Sequence, residues 1–129
     1  MPVHIQWDNP EKSIIMARYE GRWTWEEFYQ AAKDCEALAA TVPHQINIIA
    51  DMVDGFLPQG APFGHAQKVA SHNGPQMGFI VVVSGSRFIQ GLMNVSARVV
   101  PVWREKYRAA NSVEEARRMI EEERRKLAS

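Results

Sequence analysis

The chain has 129 residues, which is the usual size of one domain, so we expect residues 1–129 to fold as a single unit. Apolar residues make up 46% and charged residues 23%, a composition that excludes a disordered chain. The 15 basic and 15 acidic side chains balance, and this argues against nucleic acid or an anionic membrane as a partner.

The sequence also favours a soluble, cytoplasmic protein. Its first residues lack the basic run and apolar core of a signal peptide, and no apolar run approaches the ~20 residues that span a bilayer. The single cysteine, Cys35, cannot form an internal disulfide, which is typical of a reducing compartment.

The first third of the chain predicts a hairpin and a helix. Residues 3–7 alternate apolar and polar side chains, and residues 13–19 follow after a short turn, so the two strands should pair antiparallel. Thr24 and Glu27 have the spacing of a capping box, which predicts a helix start. The buried stripe of that helix would be Phe28, Ala31, Cys35, Leu38 and Val42.

The middle of the chain predicts two buried strands. Residues 46–52 are apolar on both faces, and residues 78–84 are continuous and β-branched. Between them lie a loop rich in glycine and proline and a weak helix at about residues 62–72.

The last third predicts a helix at 86–100 ended by Pro101, a short strand at 106–110 and a final helix. Ser112 and Glu115 have capping-box spacing at the start of that last helix. Its predicted inner stripe is Val113, Ala116, Ile120 and Leu127.

Strands that alternate with helices imply a largely parallel α/β sheet with the antiparallel hairpin strand at one edge. The order and spacing of the segments resemble the SpoIIAA-like fold, which STAS domains share and which is related to the Sec14-type grouping. Four segments carry this resemblance: YEGRWTWEEF, INIIADM, GFIVVVSGSRF and YRAANSVEEARRMI.

The resemblance implies a small sheet of about five strands with four helices, mainly on one side. It also implies a non-catalytic regulatory or interaction domain. In the anti-sigma-factor antagonists of this group, a serine just after the strand that corresponds to INIIADM is phosphorylated. That position falls near Gln59 and Gly60 here, and residues 52–70 contain no serine, threonine or tyrosine, so this switch is not carried over.

Polar residues follow the two buried strands. Asp51 and Asp54 end one strand, and Ser84, Ser86 and Arg87 follow the other. Ligands of open α/β sheets bind at the carboxyl ends of strands, and a helix N-terminus favours anions, so one interpretation is a small anionic ligand. The other interpretation is structural: the aspartates shape the loop and Ser86 caps the helix.

The helix at 86–100 carries an apolar arc wider than one buried face requires. We expect one stripe to cover the sheet, namely Phe88, Leu92, Val95 and Val99. A second stripe would then need another cover, either a helix of the same domain or a second subunit, a partner or a lipid. This candidate interface consists of Ile89, Met93, Ala97 and Val100.

The sequence shows no catalytic constellation. Ser84 and Ser86 lie at a strand-to-helix turn without the G-x-S-x-G pattern, and the four histidines lack a metal-binding spacing. Trp23 and Trp25 flank Thr24, so one should point inward and the other outward; a hydrophobic lid is the favoured interpretation and a ligand platform the alternative. We therefore expect no catalytic residue, metal or cofactor.

Three hypotheses follow, of which the last, an enzyme, is the least favoured. The first is a regulatory or protein-interaction domain that self-associates, as a homodimer, through apolar helix surface. The alternative is a small-ligand carrier that holds a lipid or an anionic metabolite at the carboxyl ends of the strands.

Overall fold

A computed structural model of the protein describes most of the chain: residues 3–56, 58, 60, 64–65, 68–69, 76–99 and 101–128. The strands are β1 (Val3–Trp7), β2 (Ile14–Tyr19), β3 (Gly21–Arg22), β4 (Ile46–Asp51), β5 (Gly55–Phe56), β6 (Met77–Val83) and β7 (Tyr107–Ala110). The helices are α1 (Trp25–Ala39), α2 (Arg87–Val99), α3 (Pro101–Lys106) and α4 (Val113–Ala128).

Five strands form one sheet in the order β1-β2-β4-β6-β7. The β1–β2 pair is antiparallel, and every other neighbouring pair of this sheet is parallel. β3 and β5 form a separate two-stranded parallel pair. The predicted α/β fold, a mostly parallel five-stranded sheet with an N-terminal antiparallel hairpin, is confirmed, and three of the four helices given above, namely α1, α2 and α4, were predicted.

Alternate residues of the inner strands enter two different cores, because successive side chains of a strand point to opposite faces. Ile48 and Ile80 lie on the face that α1 and α2 cover. Ile49 and Val81 lie on the opposite face, against Ile120 of α4. β4 is buried at all six positions, which explains why its sequence is apolar without alternation.

The start of α1 matches the predicted capping box. The Thr24 hydroxyl accepts the Glu27 N–H at 3.2 Å, and the Glu27 carboxylate accepts the Thr24 N–H at 3.0 Å. Ala31 and Cys35 are buried in the core, with Phe28, Leu38 and Val42 partly buried beside it.

The start of α4 forms only half of the predicted box. The Ser112 hydroxyl accepts the Glu115 N–H at 3.1 Å, but the Glu115 carboxylate accepts the Asn111 N–H at 3.3 Å. Ala116 and Ile120 are fully buried, as predicted. Leu127 is 74% exposed, so its assignment to the inner stripe is wrong: the apolar packing of α4 ends before its last turn.

The assignment of the two apolar stripes of α2 is also wrong. Met93 is buried in the core and Ile89 packs against it, so neither is a free surface, and Ala97 is half-buried. Val95 and Val99, which we expected to cover the sheet, are exposed. Both stripes are apolar, so the sequence alone did not fix the rotation of α2 about its axis. Of the remaining members, Val100 and the side chains of Phe88 and Leu92 lie outside the described residues.

Two further predictions concern the loops. Pro101 separates α2 from α3 and occupies the first position of α3, where its missing N–H costs nothing; α3 was not predicted. The weak helix predicted at 62–72 lies largely outside the described residues. In the part of the chain that the structure describes, no helix has the length and apolar character needed to cross a bilayer.

Candidate functional site

A cavity of about 270 Å³ lies at the carboxyl ends of β4 and β6. These strands are neighbours and parallel, with Asp51 paired to Val83, so the loops that follow them meet at one edge of the sheet. The volume is close to the lower limit of roughly 300 Å³ for small-molecule sites. We call it the carboxyl-edge cavity; its described lining residues are Trp23, Met52, Val53, Gly55, Ser84, Gly85, Ser86 and Ile89.

Ser84 and Ser86 are the two predicted ligand-binding residues that the structure places in this lining. The Ser84 hydroxyl is buried and accepts the Ser86 N–H at 3.1 Å. The Ser86 hydroxyl accepts the Ile89 N–H at 3.3 Å, which is the geometry of an N-cap. Both hydroxyls therefore shape the turn that begins α2.

The other three predicted residues lie outside the lining. Asp51 accepts the Val53 N–H at 3.2 Å and lies 3.6 Å from the Arg18 guanidinium, so it orders the loop after β4. Asp54 is exposed and fixes the loop through its carbonyl, which accepts the Gly21 N–H at 2.9 Å. Arg87 is exposed at the first position of α2.

Trp23 also lines the cavity, although the sequence analysis favoured a hydrophobic lid over a ligand platform for the pair Trp23 and Trp25. It is 3% exposed, and its ring packs at 4.8 Å from Tyr19 and 5.2 Å from Trp25, measured between centroids. Its indole Nε1–H is buried and has no hydrogen-bond partner among the described residues. A buried donor without an acceptor costs about 1–3 kcal/mol, so such groups are rare.

Gly55 packs closely against this indole nitrogen. A Cβ at position 55 would lie 3.0 Å from Nε1 of Trp23 and 2.8 Å from the Tyr19 carbonyl oxygen. Only a glycine therefore fits here without displacement of its neighbours.

The core holds titratable groups that stay neutral. Burial, with a smaller contribution from Asp34 and Glu36, raises the pKa of the Cys35 thiol to about 12. Burial likewise raises the pKa of Tyr19 and of Tyr107. Cys35 is a packing residue of α1 and remains protonated at neutral pH, which makes it a poor nucleophile.

His65 has a packing role beside the N-terminus of α1. Its ring stacks on Trp25 at 4.4 Å between centroids, and its Nδ1 lies 2.5 Å from the Tyr29 hydroxyl. Among the described residues, no three side chains of histidine, cysteine, aspartate or glutamate are grouped so that they could hold a metal ion.

A larger cavity of about 390 Å³ lies at the opposite ends of the strands. Two of its positively charged lining residues, Lys106 and Arg124, form hydrogen bonds within the protein. Lys106 donates to the Met77 carbonyl at 3.2 Å. Arg124 donates to the Ser13 hydroxyl at 2.8 Å, to the Ser13 carbonyl at 2.7 Å and to the buried Asn47 at 3.2 Å. Arg124 therefore turns inward from α4, a placement that only the tertiary structure shows.

Comparison with known proteins gives the fold. No family model matches the sequence, and no curated protein matches it. Among solved structures, the chain is similar to an uncharacterised protein of the DUF3478 family from Shewanella loihica PV-4, which has a SpoIIAA-like fold. The two share 12% sequence identity over 88% of each chain, with a TM-score of 0.61. The protein is therefore an α/β domain with a SpoIIAA-like fold, as the resemblance predicted.

Proposed function

We propose that this chain is a non-catalytic regulatory domain that recognises a small molecule in the carboxyl-edge cavity. One observation carries the proposal: the cavity lies at the carboxyl ends of the neighbouring parallel strands β4 and β6, where open α/β sheets bind their ligands.

The size of the cavity favours a small metabolite over a lipid. A volume of about 270 Å³ is below the usual range for drug-sized ligands, and an acyl chain of a membrane lipid needs more room. Of the two ligand classes that the sequence analysis left open, the metabolite therefore fits better.

Native mass spectrometry of the purified protein tests this function. We expect a population with one retained molecule of low mass, which is released on denaturation and can be identified by its fragments. A protein that carries no such molecule, and that takes up none from a small-metabolite library, would rule the proposed function out.

Self-association is the second candidate, because α2 exposes two apolar side chains one turn apart. Val95 is 57% exposed and Val99 is 74% exposed. A two-fold dimer is the commonest way to cover such a stripe with a second copy. Light scattering after size exclusion should then show a dimer that forms as concentration rises and that Val95→Glu with Val99→Glu abolishes. A monomer at all concentrations would exclude this candidate.

A further inference from the structure

The face of the sheet that α4 covers changes from apolar to polar along the strands. Ile49 of β4 and Val81 of β6 are buried on this face. Asn47 lies two residues before Ile49, so its side chain points to the same side. Arg108 of β7 pairs with Val81 and therefore also lies on this face. The apolar packing under α4 thus ends before the amino ends of the strands.

α4 shows the same change along its inner stripe. Ile120, Arg124 and Leu127 share one face, because residues four and seven positions apart lie one above the other on a helix. Ile120 is fully buried, whereas Arg124 is half-buried and Leu127 is exposed. A cavity of about 390 Å³ remains here between α4 and the sheet, within the range of roughly 300–1,000 Å³ for small-molecule sites. We call it the amino-edge cavity.

Three positively charged side chains from different elements line the amino-edge cavity: Lys106 of α3, Arg108 of β7 and Arg124 of α4. Among the described residues, their hydrogen bonds go to uncharged oxygens, mainly main-chain carbonyls. The Arg108 guanidinium also lies 4.9 Å from the centroid of the Phe79 ring. These contacts fix the three side chains in position without neutralising them.

The three charges have no carboxylate partner. No carboxylate oxygen of the described residues lies within 4.0 Å of their nitrogens. Glu105 and Glu123 line the same cavity but lie beyond that distance. Burial lowers the pKa of Arg124 although Glu11 and Glu121 act against it, so its charge is only partly offset. Since charges that leave water are normally paired, the arrangement favours an anion in the cavity.

We infer that the amino-edge cavity binds the phosphate group of a small molecule, at a second site that goes beyond the proposed function. A phosphate carries several oxygens that point in different directions, so it can accept hydrogen bonds from cations on three elements; a carboxylate has only two oxygens in one plane. Phe79, Ile120 and Leu127 line the same cavity and suit an apolar body. The two cavities share no described lining residue, so each site stands or fails separately.

Phenyl phosphate is a probe with both parts, and benzoate and phenol are matched probes with other head groups. A nitrogen–proton correlation spectrum, recorded at an ionic strength held constant with sodium chloride, follows their binding. We expect phenyl phosphate to move the amide resonances of Gly78 and Phe79 saturably and to leave that of Gly85, in the carboxyl-edge cavity, in place. Benzoate should bind about tenfold more weakly, because it makes fewer charge-assisted hydrogen bonds, and phenol should have no effect.

Three outcomes of this titration would overturn the inference. They are equal binding by benzoate or phenol, no movement with phenyl phosphate, and movement confined to Gly85.

Removal of single charges provides a second test. Arg108→Gln and Lys106→Gln should each weaken the binding of phenyl phosphate about tenfold. Glu123→Gln removes a negative charge from the lining and should strengthen binding about twofold. Arg118→Gln is the matched control, since Arg118 is exposed on α4 outside the lining. If one of the first two variants does not fold, the other decides; binding equal to that of the control would contradict the assigned site.

Discussion

Gly55 and Trp23 approach each other so closely that a Cβ on Gly55 would lie 3.0 Å from the indole nitrogen. The same Cβ would lie 2.8 Å from the Tyr19 carbonyl oxygen, which is main chain and cannot rotate away. Gly55→Ala should therefore lower the free energy of unfolding by about 1–3 kcal/mol, measured by urea denaturation.

Gly85→Ala is the control for this change. A Cβ at Gly85 meets no atom within 4 Å, so we expect a change within about 0.5 kcal/mol. If the two alanine variants are equally stable, the close approach at Gly55 is not a packing constraint.

Arg124 ties α4 to the loop before β2 and to the start of β4. Arg124→Met keeps the aliphatic stem but leaves the Asn47 side-chain oxygen and the Ser13 carbonyl without this donor. We predict a loss of about 1–3 kcal/mol in the free energy of unfolding. Arg125→Met, at an exposed neighbouring position, should change it by less than about 0.5 kcal/mol. Similar losses in both variants would mean that Arg124 contributes only its charge.

The rotation of α2 can be tested with one substitution on each face. Met93→Asp places a carboxylate in the core and should cost about 3 kcal/mol or more, seen as a large drop in the midpoint of thermal unfolding. Val95→Asp, on the exposed face, should cost about 0.5 kcal/mol or less. A folded Met93→Asp variant beside an unfolded Val95→Asp variant would show that α2 is rotated the other way.

Cys35 gives the protein an alkaline instability. Burial, with a smaller contribution from Asp34 and Glu36, raises the pKa of the folded thiol from 9.0 to about 12, so above pH 9 the unfolded chain binds fewer protons than the folded one. The free energy of unfolding should therefore be unaffected by this group below pH 9 and fall as the pH rises towards 12. The raised pKa values of Tyr19 and Tyr107 act in the same direction.

Cys35→Ala should make this decline shallower, which urea titrations at pH 8, 9 and 10 would measure. In wild-type protein the thiol should also react with a thiol reagent only as fast as the chain unfolds. An identical pH dependence in both proteins would show that the thiol ionises as freely in the folded state.

The sequence predicted those features that depend on local patterns. The strands β4 and β6 follow from β-branched apolar runs, and α1 follows from the Thr24 capping box and its spaced apolar residues. These signals are short in range, so tertiary contacts reinforce them instead of changing them. The polar turn of Ser84 and Ser86 was placed correctly at the carboxyl edge for the same reason.

The features that the sequence missed depend on contacts between distant residues. The apolar arc of α2 was too wide for its pattern to decide which stripe meets the sheet, and burial of Met93 decides it. A sequence pattern counts tryptophan as apolar, so only the structure shows that the indole N–H of Trp23 is buried beside Gly55 without an acceptor. Arg124 likewise needs Asn47 and Ser13, 77 and 111 residues away in the chain, to be recognised as structural.

The claim that the carboxyl-edge cavity binds a small molecule is tested most directly by filling it. Val53 lines the cavity and is 53% exposed, so Val53→Trp can reduce the space without disturbing the core; Val95→Trp makes the same change at a residue that is 57% exposed and outside the lining. Native mass spectrometry of the two variants should find the retained molecule on Val95→Trp and not on Val53→Trp. Equal retention by both folded variants would contradict the account.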